Sequence, residues 1–377
     1  MKENDLSDRR TSVNTQELAQ IVRHQVDLLH KKPSLAEKIP PLMVWGAPGI
    51  GKSAIMRQVA AEEGIGFIDI RLSQREPVDL RGLPVPDAQE KRVEWFLSSD
   101  WPRDADSRGI LLFDELTAAD RMLQVAAYEI ILDRRLGDLY TVPSGWYIVG
   151  AGNRLEDMAV STCMSSALAN RFMHVELRED VESWCRWGLT HGIEPCVLAF
   201  IRFRPELLFS MEDENLERGW PSPRSWERVS TLLKTAGETD ESVIARLVYG
   251  LVGIAAGAEF LAYRELVSPY EDVRDKMLDA SQELVIPRKA DERYAFCTAV
   301  AYYVWRGKDE AEAAALLDGF YRVIEMLPGD FAAMLMMDAL NGNELISKTE
   351  AASRLFHHPL YSDWRRRNSA AIKSTLC

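Results

Sequence analysis

The chain has 377 residues, 47% hydrophobic and 27% charged, an ordinary globular composition that excludes a disordered polymer and leaves room for one to three domains. Lys and Arg number 45 against 58 Asp and Glu, and the resulting net charge of −13 argues against a basic surface that neutralises nucleic-acid phosphates. Five cysteines (Cys163, Cys185, Cys196, Cys297, Cys377) form no CxxC pair, which disfavours a zinc site or a disulfide framework.

The opening MKENDLSDRRTS is polar and has no apolar signal core, so the first dozen residues read as a solvated tail. From Asn14 to about His30, Leu18, Ile21, Val22, Val26 and Leu29 recur at helical spacing, with Asn14 as a cap. KKPSLAEKIPP then interrupts the pattern. Short apolar runs follow at Leu42–Trp45, Phe67–Arg71, Ile110–Phe113, Trp146–Val149 and Phe172–Leu177, separated by helix-like segments that include one from Ser53 to Glu63. Strands alternating with helices predict a parallel sheet covered on both faces.

After Val181 the periodicity is mostly helical, broken at Pro195, Pro205, Pro221, Pro223, Pro269, Pro287 and Pro328. The least polar stretch, Leu247–Ala258, lies between Arg246 and Glu259 and is far short of a bilayer span. These features predict a soluble, cytoplasmic protein with no membrane partner. The domains read as 1–37, a tail and helix; 38–178, an α/β core; 179–265, a helical lid; and 266–377, a C-terminal helical region.

Residues 46–53 read GAPGIGKS and satisfy G-x-x-x-x-G-K-[ST], between a strand and a helix. Gly46, Gly49 and Gly51 let the backbone curl so that successive N–H groups point inward at a phosphate, and Gly46, Ala47, Pro48, Gly49, Ile50, Gly51, Lys52, Ser53 and Ala54 form the candidate nucleotide-binding stretch. Lys52 brings positive charge to the β- and γ-phosphates, Ser53 offers a hydroxyl to Mg²⁺, and the helix start contributes its dipole.

Downstream, ILLFDE is an apolar strand that ends in two carboxylates. Asp114 is placed to hold the Mg²⁺ shell and Glu115 to act as general base on the attacking water. The competing reading is a strand that simply exits to solvent.

These motifs bring out a resemblance. GAPGIGKS, ILLFDE, ADRMLQVAAYEIILDRRLGD, GWYIVGAGNR and SSALANRF occur in the order and at the intervals of the MoxR branch of AAA+ ATPases, in the dynein-related, midasin-like group. The resemblance covers residues 38–178 firmly and 179–235 loosely. It implies an α/β P-loop NTPase core with a parallel sheet sandwiched by helices, followed by an all-helical lid and a C-terminal helical region.

Residue by residue, it implies that Asn153 is the sensor that orients the water. Arg171 matches the arginine finger that reaches a neighbouring subunit, with Arg154 as the alternative. Many relatives have Asp before the finger where this chain has Asn170. Arg224, in GWPSPRSW, matches the lid sensor of the γ-phosphate, and Pro221 and Pro223 suit a helix start there.

The stretch SQREPVDLRGLPVPDAQEKRVEWFLSSDWP is long for a simple connection. In the family it is an insertion within the second helix, facing the ring centre. Its Trp95, Phe96 and Trp101 read as core or inter-subunit packing ahead of client contact. RRLGDLYTVPSGW resembles a hairpin before the sensor strand. His357-His358 lacks metal spacing, Arg365-Arg366-Arg367 reads as a solvated face, and Gly253 and Gly257 read as close helix packing.

The resemblance implies a Mg²⁺-dependent ATPase that binds ATP, assembles with itself as a ring, hexameric in the family's expectation, and remodels or activates a partner protein. A separate protein with a von Willebrand factor type A domain is the implied partner. A nucleic-acid motor or loader on the same core, and a slow nucleotide-gated scaffold, are the alternatives; the acidic balance weighs against the first.

Overall fold

The computed structural model describes residues 11–154, 157, 164–211, 218–267, 272–341 and 345–367. Cys163, Cys377, Pro269 and the tail before Thr11 lie outside these residues. The described Cys185, Cys196 and Cys297 are free thiols. The chain divides into two compact units, Met1–Glu179 and Asp180–Cys377.

The first unit is built on a six-stranded parallel sheet. Its strands are β1 (Ser12–Val13), β2 (Leu42–Trp45), β3 (Gly66–Arg71), β6 (Arg108–Asp114), β9 (Gly145–Gly152) and β10 (Met173–Leu177), in spatial order β1-β10-β2-β9-β6-β3. The five predicted strands are present, with ends shifted by up to three residues. Their apolar runs are legible because β6 and β9 are buried on both faces.

Ser12–Val13 corrects the reading of a solvated tail. This short strand adds to the edge of β10, and the Arg178 N–H closes the pairing on Val13 O at 2.9 Å. Two residues carry no periodicity, so only the tertiary edge defines the strand.

Helix α1 (Thr15–Lys31) begins at Asn14, whose side chain and Glu17 form a reciprocal capping box. It buries Leu18, Val22, Val26 and Leu29. With α2 (Lys52–Glu62) it covers one face of the sheet, touching β9, β6 and β3. The other face carries α4 (Arg121–Asp133), whose Leu123, Ala126, Ala127, Ile130 and Ile131 join a cluster with Met43, Leu111, Phe113 and Ile148. The odd-numbered residues of β6 point to α4, as strand alternation requires.

Between β3 and β6 lie α3 (Pro77–Arg81) and an antiparallel hairpin, β4 (Leu83–Asp87) with β5 (Arg92–Phe96). Pro84 and Pro86 obscured β4 in the sequence, since proline enters strands only at edges, which is what β4 is. The aromatics of this region separate. Trp101 is buried against Phe113 and Tyr140, whereas Trp95 and Phe96 are 43% and 58% exposed. Core packing therefore holds for Trp101 alone; this chain's fold does not bury the other two. The expected hairpin before the sensor strand forms from β7 (Arg135–Leu136) and β8 (Tyr140–Thr141), and the short α5 (Ser166–Ala169) precedes β10.

The second unit is helical among its described residues: α6 (Val181–Thr190), α7 (Pro195–Phe203), α8 (Pro223–Thr235), α9 (Glu241–Val252), α10 (Ile254–Val267), α11 (Val273–Leu278), α12 (Ala290–Tyr303), α13 (Glu310–Met326), α14 (Gly329–Leu340), α15 (Lys348–Phe356) and α16 (Tyr361–Arg367). One buried apolar cluster runs through it from Trp184 to Trp364. Pro195 and Pro223 occupy first helical turns, where a missing N–H costs nothing. Gly253 breaks α9 from α10 with φ +83°, so Leu247–Ala258 is two helices, not one. Gly257 packs closely on Tyr249, as the small-residue spacing predicted.

Inside this unit, Arg202 and Asp338 form a buried two-pronged ion pair at 2.6 and 2.7 Å, with Thr298 3.5 Å from the guanidinium. His358 stacks on Tyr321 and bonds to Asp318, a packing role. Among the described residues no group of three or more His, Cys, Asp or Glu is arranged to hold a metal. No described helix is long and apolar enough to cross a membrane.

Candidate nucleotide site

In a parallel sheet all strands point the same way, so the loops that follow β2, β6 and β9 emerge at one rim. The loop after β2 turns through Gly46, Gly49 and Gly51 with φ of +154°, +85° and +103°. A Cβ at Gly46 would meet Ile50 Cδ1 at 2.4 Å and Leu177 O at 2.9 Å, so this tight turn admits no side chain. Gly51 caps α2 without a side-chain hydrogen bond, and a Cβ there would meet nothing within 4 Å. With no capping side chain, the first-turn N–H groups of α2 and the positive end of its dipole are suited to an anion.

Lys52 Nζ lies across this loop. It donates to the carbonyls of Gly46 and Ala47, the latter at 3.0 Å, and to Asn153 Oδ1 at 3.0 Å. Two residues 101 positions apart are thereby joined at the rim. Ile50 is buried behind the loop, Pro48 is half-buried and Ala54 is exposed on α2.

Asp114, the last residue of β6, is buried and engages both of its oxygens. Oδ2 accepts from Ser53 Oγ, and Oδ1 accepts from the Glu115 N–H at 2.9 Å. Glu115 then adopts φ +57°, in the left-handed region. Such a conformation in a non-glycine residue costs about 1–3 kcal/mol. It is imposed from both sides: β6 pairs with β9 up to Phe113, and the Leu116 N–H bonds to Ala151 O at 2.9 Å. The Ala118 N–H then closes on Glu115 O at 2.9 Å.

The structure adds residues that the sequence reading missed. Ser73, just past β3, donates its hydroxyl to Glu115 Oε2. Thr117 Oγ1 accepts from the Asn153 N–H at 3.1 Å and fixes the end of β9. Asp69 lies on β3 with an ion pair to Arg57 at 3.5 Å. Burial raises the Asp69 carboxyl above the usual carboxylate range, the Asp114 charge adds to this, and Arg71 and Arg57 oppose it. No local motif marks these three, since each acts across strands.

The candidate arginines lie in different places. Arg154 follows Asn153 at the phosphate rim, and its guanidinium is held by Asp157, with contacts from 2.9 to 3.3 Å. Arg171 sits just before β10, at the opposite end of the strands. Met173 pairs with Leu42 at the start of β2, whereas the phosphate loop leaves the end of β2 after Trp45, about 10 Å further on by strand rise. Arg171 is exposed and lines a cavity of about 320 Å³ with Lys38, Pro40, Tyr147 and Asn170. Arg224 stands exposed in the first turn of α8 in the second unit, behind a Ser222–Ser225 capping box. Lys52, Ser53, Asp114, Glu115 and Asn153 thus converge, and Arg171 is not brought to them within its own unit.

The donor set fits a nucleoside triphosphate with a hard divalent cation. A hydroxyl and a carboxylate oxygen already in contact, Ser53 and Asp114, are what Mg²⁺ takes from protein when phosphates and water complete its shell. Lys52 and the α2 N-terminus supply positive potential for the phosphates.

Residues 42–172 match the family model described as "ATPase family associated with various cellular activities (AAA)". A search of curated proteins finds no match. Among solved structures, the chain is similar to the Holliday junction branch migration motor RuvB of Thermotoga maritima at 15% identity, covering 67% of this chain and 76% of that one, with a TM-score of 0.31. It is also similar to NtrX from Brucella abortus in complex with ADP, at 16% identity over 92% of this chain and 68% of that one, with a TM-score of 0.35. From residue 42 to residue 172, across the strands that build the phosphate rim, the chain is thus similar to an AAA-family ATPase domain.

Proposed function

We propose that this protein is a Mg²⁺-dependent ATP hydrolase working as a ring of identical copies, in which Arg171 of one copy completes the site of the next. One observation carries the hydrolase reading: Lys52, Ser53, Asp114, Glu115 and Asn153 meet at a single rim of the sheet.

In this reading Lys52 and the α2 N-terminus hold the β- and γ-phosphates. Mg²⁺ held by Ser53 and Asp114 would neutralise charge on the phosphate oxygens. Asn153 orients a water with its amide. Glu115 leaves Ser73, takes the water's proton as the oxygen–phosphorus bond forms, and the bond to the β-phosphate oxygen breaks. The proton on Glu115 passes to the phosphate released. Arg224, from the helical unit, is proposed to touch the γ-phosphate, which rests on the family resemblance alone.

The ring reading is supported by the position of Arg171, exposed at the rim opposite its own phosphate loop. A guanidinium placed there serves a neighbour's site. Hexameric order, remodelling or activation of a client, and a separate von Willebrand factor A domain partner follow from the resemblance to MoxR-type proteins and are proposed on that basis.

Steady-state ATP turnover, with binding of a fluorescent ATP analogue measured alongside, tests the site. Glu115→Gln keeps binding and loses turnover; Lys52→Ala weakens both. Turnover surviving in Glu115→Gln would falsify the catalytic assignment. Mixing Arg171→Ala with Glu115→Gln copies restores turnover only if sites are shared, and a mixture as inactive as its parts removes the ring reading.

A further inference from the structure

One histidine lies between the phosphate loop and the turn that carries Arg171. His174, on β10, accepts at Nδ1 from the Trp45 indole N–H at 2.9 Å, and the two rings stack with centroids 6.0 Å apart and planes 14° from parallel. Its Nε2 lies 2.7 Å from Ala169 O. An indole nitrogen only donates and a carbonyl only accepts, so the two partners select the neutral tautomer with the proton on Nε2.

Both partners sit at consequential places. Trp45 is the last residue of β2, and the next residue, Gly46, gives its carbonyl to Lys52 and its N–H to Gly152 O at 3.3 Å. Ala169 O also receives the Phe172 N–H at 3.3 Å, closing a tight turn with Asn170 and Arg171 as its two central residues. Phe172 packs beside the His174 ring at 6.2 Å. One imidazole therefore holds the start of the phosphate loop with one nitrogen and the base of the Arg171 turn with the other.

We propose that His174 is a positioning residue that couples the phosphate loop of each copy to the arginine that copy presents to its neighbour. A shift of the Trp45–Gly46 segment on nucleotide binding moves the His174 ring, and the ring moves Ala169 O and the turn above it. The inference rests on the trans role of Arg171, and its test separates the two ideas.

The test is a mixture in which one copy only donates the arginine and the other only hydrolyses. Glu115→Gln copies, with Arg171 intact, are combined with Arg171→Ala copies, with Glu115 intact, and ATP turnover is read. His174→Phe keeps a flat ring on Trp45 and removes both hydrogen bonds. Placed in the Glu115→Gln donor, it is expected to lower restored turnover about fivefold, the loss of roughly one neutral hydrogen bond. Placed in the Arg171→Ala acceptor, where the ring still stacks on Trp45 and no arginine is presented, it lowers restored turnover less than it does in the donor. His174→Gln in the donor, whose amide offers an N–H to Ala169 O and an oxygen to the Trp45 indole N–H, recovers most of the loss.

Binding of the fluorescent ATP analogue stays at the parent value in every variant. Equal restoration with His174→Phe in either copy overturns the coupling, as does an equal loss in both, which is the mark of local damage. If the parent mixture restores nothing, the shared site itself fails and the coupling with it.

Discussion

Two charged clusters in this protein are built on opposite terms. In the helical unit, Arg202 and Asp338 are sealed in the core, at 3% and 1% exposure, in a two-pronged geometry that engages both carboxylate oxygens. At the sheet rim, Lys52 is held by two loop carbonyls and Asn153, Asp114 by Ser53, and Glu115 by Ser73. The buried pair has no access to solvent or ligand, so its role is to specify packing. In the rim cluster Lys52 and Glu115 stay part-exposed beside a helix terminus, and only Asp114 is buried. Charge near an open, strained turn marks chemistry; charge sealed with a matched partner marks architecture.

That contrast can be broken at several points. The largest effect is expected for Arg171→Ala, which should reduce turnover by about 10³–10⁵-fold with ATP binding retained if it acts in trans as proposed. Full activity in a kinetic assay of that variant would leave the opposite rim with no catalytic part. Glu115→Gln should reduce kcat by about 10²–10⁴-fold, the usual worth of a positioned general base. Equilibrium binding of the nucleotide should persist.

On the other side of the comparison, Asp338→Ala should destabilise the helical unit by about 3–5 kcal/mol, because it strands a buried guanidinium. Denaturant unfolding measures this. A loss under about 1 kcal/mol would mean that Arg202 finds water or another partner. The smallest effect should come from Ser73→Ala. Its hydroxyl draws electron density from the Glu115 carboxylate and holds it in place, so removing it should raise basal turnover about threefold, within the range of a single hydrogen bond. A fall in turnover would instead make Ser73 part of the catalytic arrangement.

Much of the α/β unit was legible because its signals are local or periodic. The runs LMVW and ILLFD are continuous apolar stretches since both faces of their strands are covered, and Asn14 and Glu17 spell out a cap within one turn. Strand β1 and the β4–β5 hairpin were not legible. The first is two residues long, and every residue of β5 is exposed, so neither carries a pattern of burial.

The phosphate loop and the acidic pair could be read from sequence alone, because each signal lies in one contiguous stretch, although the left-handed turn at Glu115 is set by its contacts with β9. Tertiary structure decided the rest. Ser73 meets Glu115 across 42 positions, Trp45 meets His174 across 129, and Arg202 meets Asp338 across 136. Strand order and helix packing set those meetings, and no local stretch of chain encodes which distant residue will arrive. The same parallel register puts Arg171 at the far end of the strands from its own phosphate loop.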